Sequence, residues 1–391
     1  MHRNATRFIL IMAVVAVAAA LFGCGQGSRA PMSAAETPEY HVANGDKLLE
    51  MGRPGAAKEE YDMAVEMAPE YSPAYVGLAL VAAATQDHEL AGRRLETAGN
   101  HATTDEQRIR VHVGYIRMYT MGKEHFGDRW LVRAEKSYDD AVRIDPDAPA
   151  PHFHMARAYR AGYDFSMATD LYAKVIDLGG EYVGRADVEY EEVQKIQRAT
   201  PGSPVGRRVA LMDEITRGDA AALFIHELRV EDLFADRTGK DFDTTFKSPE
   251  TGFETGEYVK KPRVTDVESH VLRSEIRRVL DLDIVGLRPY PDHTFKPYQP
   301  VRRAEFAMML EDVLIKTTGN EGLATRFFGQ TSPFPDVRSD VAYFNAAMVC
   351  TTRGFMEVRD RSTGEFDPLG KVSGADALLA IRELRTDVKG R

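Results

Sequence analysis

The chain has 391 residues, enough for two or more domains, and an ordinary globular composition of 43% hydrophobic and 28% charged residues. Its net charge of −10 argues against non-specific nucleic-acid binding, which needs a basic face, and against general adhesion to an acidic polymer. Any site for an anion must be local, and no nucleic-acid partner is expected.

The N-terminus opens with Arg3 and Arg7 and continues in the apolar run Phe8 to Ala20, too short to span a bilayer comfortably. Leu21-Phe22-Gly23-Cys24 follows. This segment resembles the lipobox of bacterial lipoproteins. The resemblance implies that residues 1–23 are a signal peptide and that Cys24 carries the lipid. The protein would then be anchored in the cell envelope: the outer membrane facing the periplasm in a diderm, otherwise the outer face of the cytoplasmic membrane. Residues 24–37 read as a flexible tether. Cys350 is left without a partner, so no intrachain disulfide is expected, and its apolar neighbours suggest a small buried hydrophobe.

From 38 to 200 the chain repeats. Ala57, Tyr61, Ala64 and Pro69 recur as Ala91, Leu95, Ala98 and Thr103, each 34 positions on; Ala134, Tyr138, Ala141 and Pro146 recur in the same way as Ala168, Tyr172, Val175 and Gly180. That period, with small residues at fixed points, resembles the tetratricopeptide repeat. Four helical hairpins are expected near 38–71, 72–104, 105–148 and 149–182. The extra length of the third falls within Lys123 to Trp130, and Asp187 to Arg198 closes the stack. Arrays of this kind usually hold a peptide or partner helix in a concave groove, here a protein of unknown identity. Tyr75, His152 and Arg160 are candidate exposed groove residues.

After the turn cluster at 200–204 comes a second pattern. Its clearest copy runs from Val264 to Phe306. One helix face is Leu272, Ile276, Val279 and Leu280; a loop follows from Pro289 to Pro297; a second helix opens at Arg303-Ala304-Glu305 and buries Phe306, Met309, Leu310, Val313 and Leu314. Partial copies begin at Ile215-Thr216-Arg217-Gly218-Asp219 and at Phe334-Pro335-Asp336-Val337, the latter closing at Val372-Ser373-Gly374-Ala375-Asp376. The segment resembles an S-layer homology domain of three pseudo-repeats, here 203–386 with an insertion at 231–262. The fold class is therefore mainly α: a helical-hairpin solenoid followed by a pseudo-trimeric helical domain, with a frayed tail from Asp387.

In S-layer homology domains the arginine at the helix start binds a cell-wall polymer. The resemblance implies that role for Arg217 and Arg303, with Arg302 an additional cation and the third position lost at Gly374. Free helix amides, the helix dipole and the guanidinium would together hold an anion. An arginine at N1 opposes the dipole, so its loss is expected to leave the fold intact.

Nothing in the sequence sets up catalysis, and no cofactor or metal is expected. His226-Glu227 lacks a second histidine one turn on, His152 and His154 do not share a helix face, and Asp236, Asp241 and Asp243 lack calcium-loop spacing. The expected function is non-catalytic. The protein would link a membrane, a protein partner and a cell-wall polysaccharide or peptidoglycan; alternatively, it is an envelope assembly factor whose C-terminal domain docks on protein.

Overall fold

The computed structural model describes residues 36–238 and 264–390, without side chains at 236–238. Cys24, most of the tether, and Asp241 and Asp243 lie outside the described residues, as does the side chain of Asp236. The described residues are mainly helical and contain no strand, only isolated bridges. None of their helices is long and apolar enough to cross a membrane. The chain divides into two compact units at Ala186/Asp187.

The first unit is a row of helical hairpins. Helices α1 (Pro38–Glu50) and α2 (Pro54–Met67) form the first, α3 (Ser72–Ala84) and α4 (His88–His101) the second. The third joins α5 (Asp105–Met121) to α6 (Trp130–Ile144), and α7 (Pro149–Ala161) with α8 (Phe165–Leu178) completes the row. Within each pair the helices pack on one another, and α1, α3, α5 and α7 pack each on the next. Proline in the first turn starts α1, α2, α3 and α7, where its missing N–H costs nothing. Thr37, Asp87, Thr104 and Asp164 cap α1, α4, α5 and α8 through their side-chain oxygens. The extra residues of the third hairpin form two short helical turns, Lys123–Phe126 and Gly127–Arg129.

The small residues of the 34-residue pattern do the packing assigned to them. Ala57, Ala64, Ala91, Ala98, Ala134, Ala141 and Ala168 are all fully buried. Tyr61 fills the space between α1 and α3. A Cβ built on Gly45 or Gly77 would lie 2.5 or 2.2 Å from its ring. Its hydroxyl donates to Asp46 Oδ1 at 2.8 Å, which satisfies the polar end of a buried aromatic. Tyr172 is equally buried, whereas Tyr138 is only half-buried and meets His152 Nδ1 at 2.8 Å.

The unit division falls inside α9 (Val183–Ala199). In the second unit follow α10 (Pro204–Ala210), α11 (Arg217–Leu223) and a π-helical turn Phe224–Leu228, then α12 (Val230–Thr238). The span read as an irregular insertion from 231 thus begins as helix. After it come α13 (Arg273–Asp281), α14 (Arg303–Thr318), α15 (Phe344–Thr352) and α16 (Gly374–Lys389). Helix α14 is central, packed by α12, α15 and α16. All five apolar residues of its expected face are fully buried. The C-terminal tail is not frayed: α16 runs to Lys389, and Asp387 pairs with Arg353 at 2.7 Å.

Three helix starts converge in this unit. Ile215 N–H donates to Val372 O and Val301 N–H to Ile215 O, both at 2.9 Å, while Arg302 bridges to Lys371. The second and third copies are backbone equivalents. Left-handed residues Asp283, His293 and Lys296 recur at one constant offset as Gly354, Gly364 and Asp367. Asp266 accepts the N–H groups of Phe295 and Lys296; Asp336 accepts those of Phe366 and Asp367. The first copy has only the short α10 in place of that half.

Candidate functional site

Helix α11 starts with a capping box, in which Thr216 and Asp219 exchange hydrogen bonds. At α14 half of the box survives: Arg302 N–H donates to Glu305 Oε2 at 3.0 Å. The amides expected to be free are occupied. Arg217 and Gly218 donate to Gln299 O and Pro297 O, both at 2.9 Å. Arg303 and Ala304 donate to Gly370 O and Pro368 O, at 3.1 and 3.0 Å. An anion therefore cannot use these helix ends, and that part of the sequence reading is corrected.

The side chains of Arg217 and Arg303 are also not open surface charges, being 3% and 5% exposed. Arg217 enters a socket made by the next copy. Its Nε donates to Phe295 O at 2.8 Å, Nη2 to Arg288 O at 2.9 Å, and Nη1 to Gly286 O. The plane lies 4.8 Å from the ring centres of both Tyr290 and Phe295. Every nitrogen of this guanidinium is committed, and burial lowers its pKa. Arg303 repeats the geometry on the third copy. Its Nε donates to Phe366 O at 2.7 Å and Nη2 to Glu357 O at 2.6 Å, and its plane lies 4.9 Å from the Phe366 ring centre. Among the described residues no acceptor meets its Nη1.

At the third start no socket exists. A Cβ on Gly374 would lie 1.6 Å from Val209 O, because the shortened first copy brings its backbone against α16. The missing arginine is thus a steric consequence of the missing half-copy. Arg302 sits elsewhere, 44% exposed and 3.6 Å from Glu214, which also holds Lys371 at 3.3 Å.

Beside Arg303 opens a cavity of about 290 Å³. Its lining includes Lys195, Arg198, Arg303, Arg359 and Arg361 against only two carboxylates, Glu357 and Asp376, with Phe306, Phe355, Met356, Val372 and Leu379 as apolar wall. Lys195 pairs with Asp376 at 3.2 Å and Arg361 with Glu357 at 2.7 Å. Among the described residues, the side chains of Arg198 and Arg359, like Arg303 Nη1, have no hydrogen-bond or ion-pair partner. The structure brings Arg303 to this cavity; Arg217 and Arg302 do not line it.

Lys195, Arg198, Arg359 and Arg361 were missed in the sequence. The first two lie in the helix read as the end of the repeat array. Arg359 and Arg361 follow the left-handed turn at Gly354 in a stretch with no periodicity. The surplus of cations around Arg198 could have drawn attention only with the fold in hand.

His152 is fully buried, with Nε2 2.9 Å from Pro146 O, so it is not an exposed groove residue as expected; Tyr75 and Arg160 are half-buried. Among the described residues no group of three or more His, Cys, Asp or Glu could hold a metal. Comparison with protein-family models, with curated proteins and with solved structures found no match.

Proposed function

We propose that this chain is a non-catalytic lipoprotein of the cell envelope, anchored by a lipid on Cys24. In this reading the hairpin row is a tetratricopeptide-like array that holds a protein partner. The second unit is an S-layer-homology-like domain that attaches to an acidic cell-wall polymer. The observation that carries the reading is the cavity beside Arg303, lined by three guanidinium groups with donors that no described residue pairs, within an otherwise acidic chain. Arginine presents a planar fork suited to carboxylate or phosphate, and the apolar wall suits the faces of sugar rings.

The reading differs from the sequence expectation in one respect. Arg303, Arg359 and Arg198 are the polymer contacts, whereas Arg217 holds two copies together. Arg359→Gln and Arg198→Gln should each weaken co-sedimentation with purified wall sacculi roughly tenfold, with an unchanged melting temperature. If both bind sacculi as the unmodified protein does, docking on an envelope protein takes the place of polymer binding. Cys24→Ala should leave the precursor uncut; equal mature mass and detergent partitioning in both forms would overturn the anchor.

A further inference from the structure

The extra turn of the third hairpin rests on a histidine of the second. His88 is the first residue of α4, and the turn Lys123–Phe126 closes over its ring. Gly122, at the end of α5, meets the ring from one side: a Cβ there would lie 2.8 Å from Cε1 and 2.9 Å from Nδ1. Phe126 lies 5.5 Å and His125 4.9 Å from it, centre to centre. These neighbours leave His88 only 9% exposed. Among the described residues nothing hydrogen-bonds its buried Nδ1. A buried polar atom without a partner is unfavourable, and more so when it carries a charge.

The surrounding charges also oppose a proton on this ring. Protons on both imidazoles would place two positive charges about 5 Å apart. Arg133 reaches over Phe126 from α6, 5.5 Å from that ring centre. His88 itself stands at the positive end of the α4 dipole. Asp87 is the neighbour that favours the charge, but its carboxylate is engaged as the helix cap and accepts the Leu90 N–H at 2.9 Å. Helix α3 carries no charged residue, and the last turn of α5, Met118 to Met121, presents only the Tyr119 hydroxyl. Burial first and His125 second lower the pKa of His88, against an opposing effect of Asp87.

We infer that His88 is an acid-sensitive latch: its neutral ring seats the turn Lys123–Phe126, and its protonation expels the ring, lifts the turn from the second hairpin and bares Phe126 and Tyr119. This goes beyond the attachment proposed above and does not depend on it. The folded protein binds the proton less readily than the unfolded chain does. The turn is therefore held fully above the ordinary imidazole value of about 6.5 and loosened as pH falls below it.

Trp130, the one tryptophan of the chain, starts α6 directly after the turn and packs against Gly162, so its fluorescence reports the latch. The test titrates Trp130 emission in the full chain from about pH 8 to about pH 5, with far-ultraviolet circular dichroism recorded alongside. Emission should change with a midpoint below about 6.5 while the helical signal stays constant. His88→Phe puts a neutral ring in the same place and should remove the transition. His125→Gln should keep it and raise its midpoint by about half a pH unit, the effect of removing a like charge about 5 Å away in water-like surroundings. A general structural defect would not produce that shift, so His125→Gln decides the matter even if His88→Phe folds poorly. A transition that persists in a folded His88→Phe would overturn the latch. So would constant emission across this range, a midpoint unmoved in His125→Gln, or loss of the helical signal at the same midpoint, which would mean acid unfolding rather than release of one turn.

Discussion

Arg217 spans three backbone carbonyls contributed by a segment about 70 residues downstream. Its removal leaves the buried Phe295 carbonyl and two part-buried carbonyls without this donor, and a buried acceptor left unmet costs about 1–3 kcal/mol. Arg217→Ala should therefore destabilise the protein by about 1–3 kcal/mol, seen as a lower urea midpoint. Arg217→Lys should recover little, because an ammonium cannot span the same three acceptors. Sequence reasoning expected the fold to stay intact, since it weighed the helix dipole and could not see the carbonyls. Glu311 makes a second case at this scale. Burial raises its pKa from 4.5 to about 7, opposed by the hydrogen bond from Asn345 Nδ2. A carboxyl whose folded pKa lies above its unfolded one binds its proton more readily when folded. Stability is thus full below about pH 4.5 and lost as pH rises toward 7, by something on the order of 2 kcal/mol for this partly exposed group. Glu311→Gln keeps an acceptor for Asn345 and removes the ionisation. Its urea midpoint should exceed that of the unmodified protein at pH 8 and match it at pH 4.5; equal midpoints at both would contradict the assignment.

At the scale of elements, glycine decides where helices approach. The Gly374 amide donates to Met212 O at 2.8 Å, and its Cα faces Val209 O with no room for a side chain. Gly374→Ala should lower the melting temperature, since overpacking of this kind costs about 1–3 kcal/mol. Gly374→Arg should not create a third arginine site, because the half-copy that would receive it is absent. A melting temperature for Gly374→Ala equal to that of the unmodified protein would show that α10 moves aside freely. Much of this level was legible beforehand. The face of α14 and the small residues of the hairpins follow from helical periodicity, a local property. The 34-residue period likewise needs only one chain segment at a time. What stayed hidden was non-local: the carbonyl sockets of Arg217 and Arg303, and the approach of Lys195 and Arg198 to Arg359. Pairing partners more than fifty residues apart, such as Arg303 and Glu357, leave no periodic trace. The helical turns at Lys123–Arg129 were locatable by counting, though their shape was not.

For the molecule as a whole, charge works in two directions. On the proposed reading, a net charge of −10 repels an acidic polymer at long range, whereas Arg198, Arg303 and Arg359, which line the cavity, attract it at contact. The two fields have different ranges and respond differently to salt. At about 0.01 M ionic strength the Debye length is near 30 Å, so the polymer meets the field of the entire acidic surface. At about 0.15 M the length falls to roughly 8 Å, and the distant carboxylates are largely screened. Groups lining a cavity are screened less, so the contact attraction outlasts the repulsion. Sedimentation with sacculi should therefore increase from about 0.01 M to 0.15 M salt and decrease again toward about 1 M, where the Debye length of roughly 3 Å reaches the contacts themselves. Arg359→Gln should lower the maximum and flatten the falling limb while leaving the rising limb in place. Binding that only falls with salt would mean that the acidic surface does not face the polymer. Binding indifferent to salt would mean that apolar contacts, not the guanidinium groups, hold the wall.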